Sequence, residues 1–399
     1  MSNFNLQEIY TTKEAVFHWL EKDQWKGWDP FDGLASPYFN GILTSENTSL
    51  KKWLGIILLQ VVKRSPFNLR PLLKIPRQEN PMTWASGLLG VLESLQREKK
   101  SSPLFVKNAV QKLIDLSDPK TSLWGYPFPW TAKAFYLKPG EPNLVLSSLC
   151  LRALAKAILV LEDKTEQARI GREHYQKAVN NLFQIFYKPN EGYFSYVAHE
   201  MVLVHNANLF GIEAVFYLKS LGIEISTQQE EWAKKALQKT LSAQSPFGRW
   251  SYGTKSHHQW CDNFHTAYNL IALANIYRLT QDIRIPSAIQ KGLTFYLSHA
   301  FTQDGKARYY ENKTWPIETH SATAALICLS EMVKGGWLVK EQAQAQAQKI
   351  WKVLKIRACL GNGRFIYREG RLWKVRTVFN RWTQSWVYYG LESLLSLFT

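Results

Sequence analysis

Cysteine is scarce in this chain. The four present, Cys150, Cys261, Cys328 and Cys359, stand far apart and form no C-x-x-C pair. That argues against a disulfide-framed fold and a zinc ribbon, and fits free thiols in a reducing compartment. Apolar runs are short too. Trp53 to Val62 cannot span a bilayer, and the most apolar segment, Asn143 to Glu162, carries Arg152 and Lys156 in its interior. The polar start M-S-N-F-N-L-Q-E-I-Y has no signal-peptide character, so a soluble cytoplasmic protein is expected. Acidic residues are fewer than basic ones, 32 against 49, giving a net charge of +17. The cations are scattered, without long runs, which removes nucleic acid as a partner and leaves anionic polymers or a peripheral membrane surface. There is no glycine-rich phosphate loop, no G-x-S-x-G elbow and no sustained strand alternation. No set of ligands has metal spacing, so no metal and no cofactor are expected.

Aromatic residues are plentiful: 16 Trp, 18 Tyr and 20 Phe. Rings fill gaps between helices, and they also line clefts where sugars or isoprenoids stack. The stretch W-C-D-N-F-H-T-A-Y-N-L-I-A-L, Trp260 to Leu273, opens on polar groups and continues as an apolar helix. Asp262 or Asn263 suits an N-cap, and His265, three residues after Asp262, shares its face. Similar polar helix starts fall at Asn80, Asn143, Asn206, Asp262, Glu318 and Arg381, with gaps of 63, 63, 56, 56 and 63 residues. Each follows an aromatic, turn-rich loop, and each loop follows another helix. Six helical hairpins at this spacing form a repeat architecture. The last helix, Gln384 to Phe398, is as apolar as the middle ones and must be covered. Ring closure covers it, so the sequence predicts an all-α (α/α)6 toroid, 1–399 as one domain, with long loops at one mouth. The first helix, around Lys13 to Glu21, and the D-P-F-D-G-L loop of residues 1–46 would cover that mouth.

In such a ring the second helices run parallel inside, and their N-termini meet at the mouth as a set of positive dipole ends. His265 is then the candidate base or acid and Asp262 its orienter; Glu318 is a second acid, with His320 and His205 close by. Asn206, Asn208 and Arg381 are expected to hold substrate anions, with Gln384 and Tyr268 as further substrate-binding residues. Tyr126, Trp130, Tyr196, Trp250 and Trp386 would be stacking walls. Asp29 and Asp32 can cap, bind a cation or act as acid or base. This set suits proton abstraction beside a carboxylate, and also glycoside hydrolysis by the carboxylates Asp262 and Glu318.

Two resemblances add to this reading. Asp262 to Tyr268, with Q-x-x-x-G-x-W before it, resembles the terpenoid-cyclase and protein-prenyltransferase toroids, although the D-x-C and D-x-D-D partners of those families are missing. W-D-P-F-D-G-L, P-F-N-L-R-P-L-L, W-G-Y-P-F-P-W, V-H-N-A-N, W-C-D-N-F-H-T-A-Y, W-P-I-E-T-H-S-A and R-W-T-Q-S-W together resemble a bacterial polysaccharide biosynthesis family found in exopolysaccharide, capsule and lipopolysaccharide gene clusters. That resemblance implies a toroid like those of glycoside hydrolases, polysaccharide lyases and uronyl C5-epimerases. It also implies a partner that is an anionic oligo- or polysaccharide, free or lipid-linked. The alternatives are an isoprenoid-handling toroid and a non-catalytic glycan-binding scaffold.

Overall fold

A computed structural model describes residues 4–39, 49–98, 103–132, 135–161 and 165–399. Thirteen α-helices are present among them. In chain order they are α1 (Leu6–Lys22), α2 (Ser49–Arg64), α3 (Pro81–Glu98), α4 (Pro103–Asp115), α5 (Leu144–Val160), α6 (Glu166–Phe186), α7 (His205–Ser220), α8 (Thr227–Ser242), α9 (Asn263–Thr280), α10 (Ile285–His299), α11 (Thr319–Lys334), α12 (Lys340–Arg357) and α13 (Ser385–Ser396). The odd helices from α3 to α13 pack side by side and close on themselves, α13 against α3. They are apolar all round and buried along most of their length, as a helix with neighbours on every side must be. The even helices from α4 to α12 form the outer layer. Each shows one buried stripe, such as Ala343, Ala347, Ile350 and Leu354 on α12, and an exposed polar face.

This is the expected (α/α)6 toroid, with one difference in how the first hairpin is made. Pairing by chain order would put Ser49–Arg64 before α3. The sixth outer place belongs instead to α1, which lies along α13 and buries Ile9, Val16 and Leu20. Asn5 caps α1, so it runs well beyond the span read from sequence. Helix α2 packs on the 3-10 turn Asp32–Ala35 and on the strand Trp130–Thr131. Gly33 lets that turn approach closely: a Cβ there would lie 3.2 Å from Cβ of Val62.

Small antiparallel hairpins, Tyr187–Lys188 with Tyr193–Phe194 for one, join outer to inner helices. A three-stranded piece pairs Ile317–Glu318 with Arg368–Glu369, and the latter with Lys374–Val375, tying the start of α11 to the loop before α13. Below the helix starts, a belt of buried ion pairs links the inner helices. Arg152 of α5 binds Glu213 of α7 in two places, 2.7 Å for Nε, and Asn275 of α9 donates to the same carboxylate at 2.9 Å. Glu331 of α11 meets Arg278 of α9 at 2.8 Å and Lys334 at 3.2 Å, while Lys334 also binds Glu93 of α3. Arg97 of α3 and Lys13 of α1 converge on Glu392 of α13. Each buried carboxylate of this belt is met by at least one cation, which is what allows it to be buried.

Candidate functional site

A cavity of about 170 Å³ lies where the inner helices begin. Each of them contributes: Met82 from α3, Val145 and Leu149 from α5, Asn206 from α7, His265 and Tyr268 from α9, Glu318 at the start of α11, and Arg381 and Trp382 just ahead of α13. Helix α2 adds Lys63 and the N-terminal loop adds Phe31. Tyr126, Trp130, Tyr196 and Tyr252 supply much of the ring wall. Trp130 meets Tyr126 edge-on at 5.4 Å, Tyr196 edge-on at 6.1 Å and Phe31 tilted at 5.6 Å. The motif-bearing starts therefore converge on one pit, as the repeat spacing predicts.

His265 is held by Asp262 through two bonds. The Asp262 carboxylate accepts the His265 backbone N–H at 3.0 Å, capping α9, and accepts Nδ1–H at 2.8 Å. A carboxylate acceptor makes Nδ1 the donor, which leaves the Nε2 lone pair free. The imidazole packs among Phe264 at 4.1 Å, Tyr252 at 4.7 Å and Trp260 at 5.7 Å. Asp262 itself is buried behind His265 and does not line the cavity.

Glu318 is buried. Its Oε1 accepts Trp382 Nε1–H at 2.5 Å, and its Oε2 has no hydrogen-bond partner among the described residues. Burial raises its carboxyl above the usual range, against the pull of Lys63. Lys63 Nζ lies 3.8 Å from the Phe31 ring centre, and burial lowers its ammonium to about 7 despite Glu318. Asn206 also presents a buried, unpartnered Oδ1. Two orphaned oxygens facing one cavity are acceptors, or in the case of a protonated Glu318 a donor, waiting for a ligand.

Arg381 and Trp382 sit in a π-helical turn, Asn380–Gln384, of the kind that interrupts helices at functional sites. Arg381 lines the cavity between the faces of Tyr126, 4.9 Å away, and Trp382, 4.7 Å away, while its guanidinium grips Asp29 with two hydrogen bonds, 2.7 Å for Nη2. Its charge is therefore largely spent on Asp29.

Several expected site residues lie elsewhere. Asp29 sits behind Arg381, and Asp32 binds Nε of the buried Arg70 at 2.7 Å and the Asp29 backbone N–H at 2.9 Å; the pair fixes the Trp28–Leu34 loop. Asn208 is turned outward, donating to the Ala236 carbonyl at 2.8 Å and to Thr240 Oγ1 at 2.9 Å, and accepting the Phe194 N–H. His205 also meets Thr240, at 3.3 Å, and burial holds it neutral with its value lowered to about 4. Two residues apart on a helix are 200° apart, so Asn206 and Asn208 cannot both face inward. Gln384 is turned to the Gly363 carbonyl and the Phe365 N–H, and Trp250 is fully buried, donating to the Thr240 carbonyl at 3.0 Å. His320 and Trp386 lie beneath the cavity wall. His320 Nε2 shares a hydrogen bond with the Tyr268 hydroxyl at 2.5 Å and the ring stacks on Trp382 at 4.2 Å, and burial keeps it neutral. Trp386 packs on Tyr268 at 5.6 Å. Neither lines the cavity.

Lys63, Phe31, Tyr252, Tyr309 and Trp382 line the cavity without having been expected there. Trp382 had a signal, as the neighbour of Arg381 in R-W-T-Q-S-W. Lys63 had only a faint one, a cation in an apolar helix without acids. Among the described residues no group of three or more His, Cys, Asp and Glu is placed to hold a metal, and no helix is long and apolar enough to cross a membrane.

No protein-family model matches the chain, and no curated protein matches it in sequence. Solved structures do match in fold. Cellobiose 2-epimerase from Bacillus thermoamylovorans B4167 is 10% identical with a TM-score of 0.60, over 81% of this chain and 90% of the epimerase. The unsaturated glucuronyl hydrolase of Bacillus sp. GL1, responsible for the degradation of glycosaminoglycan, is 11% identical with a TM-score of 0.59, over 98% and 96%. A polysaccharide lyase is 11% identical with a TM-score of 0.58, over 99% and 98%. At these identities the likeness is one of toroid fold.

Proposed function

We propose that this protein is a carbohydrate-active toroid that abstracts a proton beside the carboxylate of a uronate ring, in bacterial surface-polysaccharide assembly. One observation carries the reading: His265, fixed by Asp262 with Nε2 free, shares a one-ring cavity with the acid Glu318, whose Oε2 has no partner among the described residues, and with the cation Lys63. A cavity of about 150 Å³ holds benzene, so this one takes a single six-membered ring and not a chain of several isoprene units. Lys63, Asn206 and Arg381 offer a cation and polar groups to a carboxylate, and the ring wall suits the apolar face of a sugar. The carbohydrate-active enzymes that share the toroid, and the motif likeness to polysaccharide-cluster proteins, support the same substrate class.

The chemistry follows from the groups. His265 Nε2 takes the C5 proton, and the bound carboxylate accepts the charge that develops. In elimination the electron pair forms the C4–C5 double bond, the C4–O bond breaks, and Glu318 gives its proton to the leaving oxygen. In epimerisation Glu318 gives its proton to C5 from the other face, leaving Glu318 ionised and His265 protonated. Hydrolysis by two carboxylates is less well served, since both Asp262 oxygens are engaged by His265. The test is incubation with uronate-bearing oligosaccharides in deuterated water. Deuterium at C5 or an unsaturated uronate product, lost in His265→Ala, is expected. New reducing ends without either would overturn the reading in favour of hydrolysis. The place in polysaccharide assembly is tested by NMR of the glycan from a strain lacking the protein; an unchanged glycan removes it.

A further inference from the structure

Helix α2 is apolar on both sides. Its inner face buries Leu59 and Val62 against the Asp32–Ala35 turn. Its outer face exposes Leu54, Ile57 and Val61, at 43%, 55% and 55%, in a stripe spaced three and four residues apart. A helix with two apolar faces is ordinarily enclosed by protein. This one lies at the surface, beside the cavity that its own Lys63 lines. The chain that follows exposes further apolar side chains, Phe67 and Leu72 each 75% exposed. Trp373, half exposed, is tied to the end of α2 by its indole N–H, which donates to the Arg64 carbonyl at 3.2 Å.

Charge says what covers this face. Residues 49–78 hold seven Lys or Arg and no Asp or Glu. Arg70 is consumed by Asp32, but Lys51, Arg64 and Lys74 are exposed around the apolar stripe, and Arg371 stands beside Leu372, which is 87% exposed. An apolar strip with a Trp at its edge and cations along its rim matches the boundary of an anionic bilayer, where rings sit at headgroup depth and cations meet phosphates. A protein partner would need to supply a dense acidic rim; an anionic membrane supplies it everywhere.

We propose that α2 and the loops beside it dock this protein onto an anionic lipid surface, lying in the interface without crossing it. The docking face and the cavity then share one helix, and the site works at headgroup level on a saccharide carried by the membrane.

The test is flotation of the full-length protein with vesicles of phosphatidylcholine alone and with phosphatidylglycerol added. Binding to the anionic vesicles only, weakened by added salt, is expected. Ile57→Glu with Val61→Glu should abolish it, and Arg64→Gln should weaken it about fivefold, the effect of one cation at such a surface. All three positions are exposed, so the variants should keep the wild-type melting curve. Protein that stays unbound with both vesicles overturns the proposal, as does undiminished binding by the double variant. A wild-type dimer that Ile57→Glu splits, without vesicle binding, would overturn it by making this face an interface between copies.

Discussion

Replacing Asp262 with Asn separates its two roles. The Asn carbonyl can keep accepting the His265 backbone N–H, and Asn caps helices about as well as Asp, so stability should change by less than about 1 kcal/mol. The side-chain amide then faces Nδ1 with hydrogens. Nδ1 must become the acceptor, the proton moves to Nε2, and the nitrogen in the cavity loses its lone pair. Two losses combine. The 2.8 Å bond to a carboxylate, worth about 1.5–3 kcal/mol as a charge-assisted bond, no longer supports the imidazolium. The productive tautomer also becomes the minor one. Turnover should fall between about 10² and 10⁴-fold, the upper figure being that of the same change in a Ser-His-Asp triad. Deuterium incorporation at C5, or formation of the unsaturated uronate, measures the rate, calorimetry the stability, and nitrogen NMR the tautomer. Turnover within tenfold of wild type in a folded protein would refute the argument and reduce Asp262 to a cap.

Glu318→Gln keeps an oxygen for the Trp382 indole and removes the acid; the elimination rate should fall about 10²–10⁴-fold with little change in melting temperature. Because burial raises the Glu318 carboxyl, its proton persists to higher pH than an ordinary carboxylic acid's, and the wild-type rate should decline as pH rises through that raised value, a decline absent in Glu318→Gln. Lys63 carries charge below about 7 and loses it above, so KM for an anionic saccharide should rise as pH climbs past 7; Lys63→Met should show the high KM throughout and a flat profile. In the belt, Arg152→Leu strands the buried Glu213 and should cost about 3–5 kcal/mol in denaturant unfolding, most of it restored by adding Glu213→Leu.

The ring was legible because its signals repeat. Asn143 and Asp262 cap their helices as read, and the spacing of the six starts registers the closure. What the sequence hid was direction. The polar residues of one start are a few positions apart, and each step turns a side chain by about 100°. Asn206 therefore faces the cavity while Asn208 holds α8, and the π-helical turn sends Arg381 inward and Gln384 to the Gly363 hairpin. The place of α2 was hidden for another reason: an apolar helix lacking one clear polar face reads as an inner or outer member of the ring. Lys63 was missed with it. The buried partners of Arg381 and Arg70 were also out of reach, since Asp29 lies 352 positions from Arg381 in the chain.

The belt of ion pairs below the helix starts has a bearing on how a polymer is handled. Packed side chains and locked charges close the lower part of the barrel, so whatever enters from above must return the same way. A strand of sugars cannot thread through a cul-de-sac. On the proposed function, a terminal sugar would enter, react and leave by the same opening, so action at chain ends is the expected outcome.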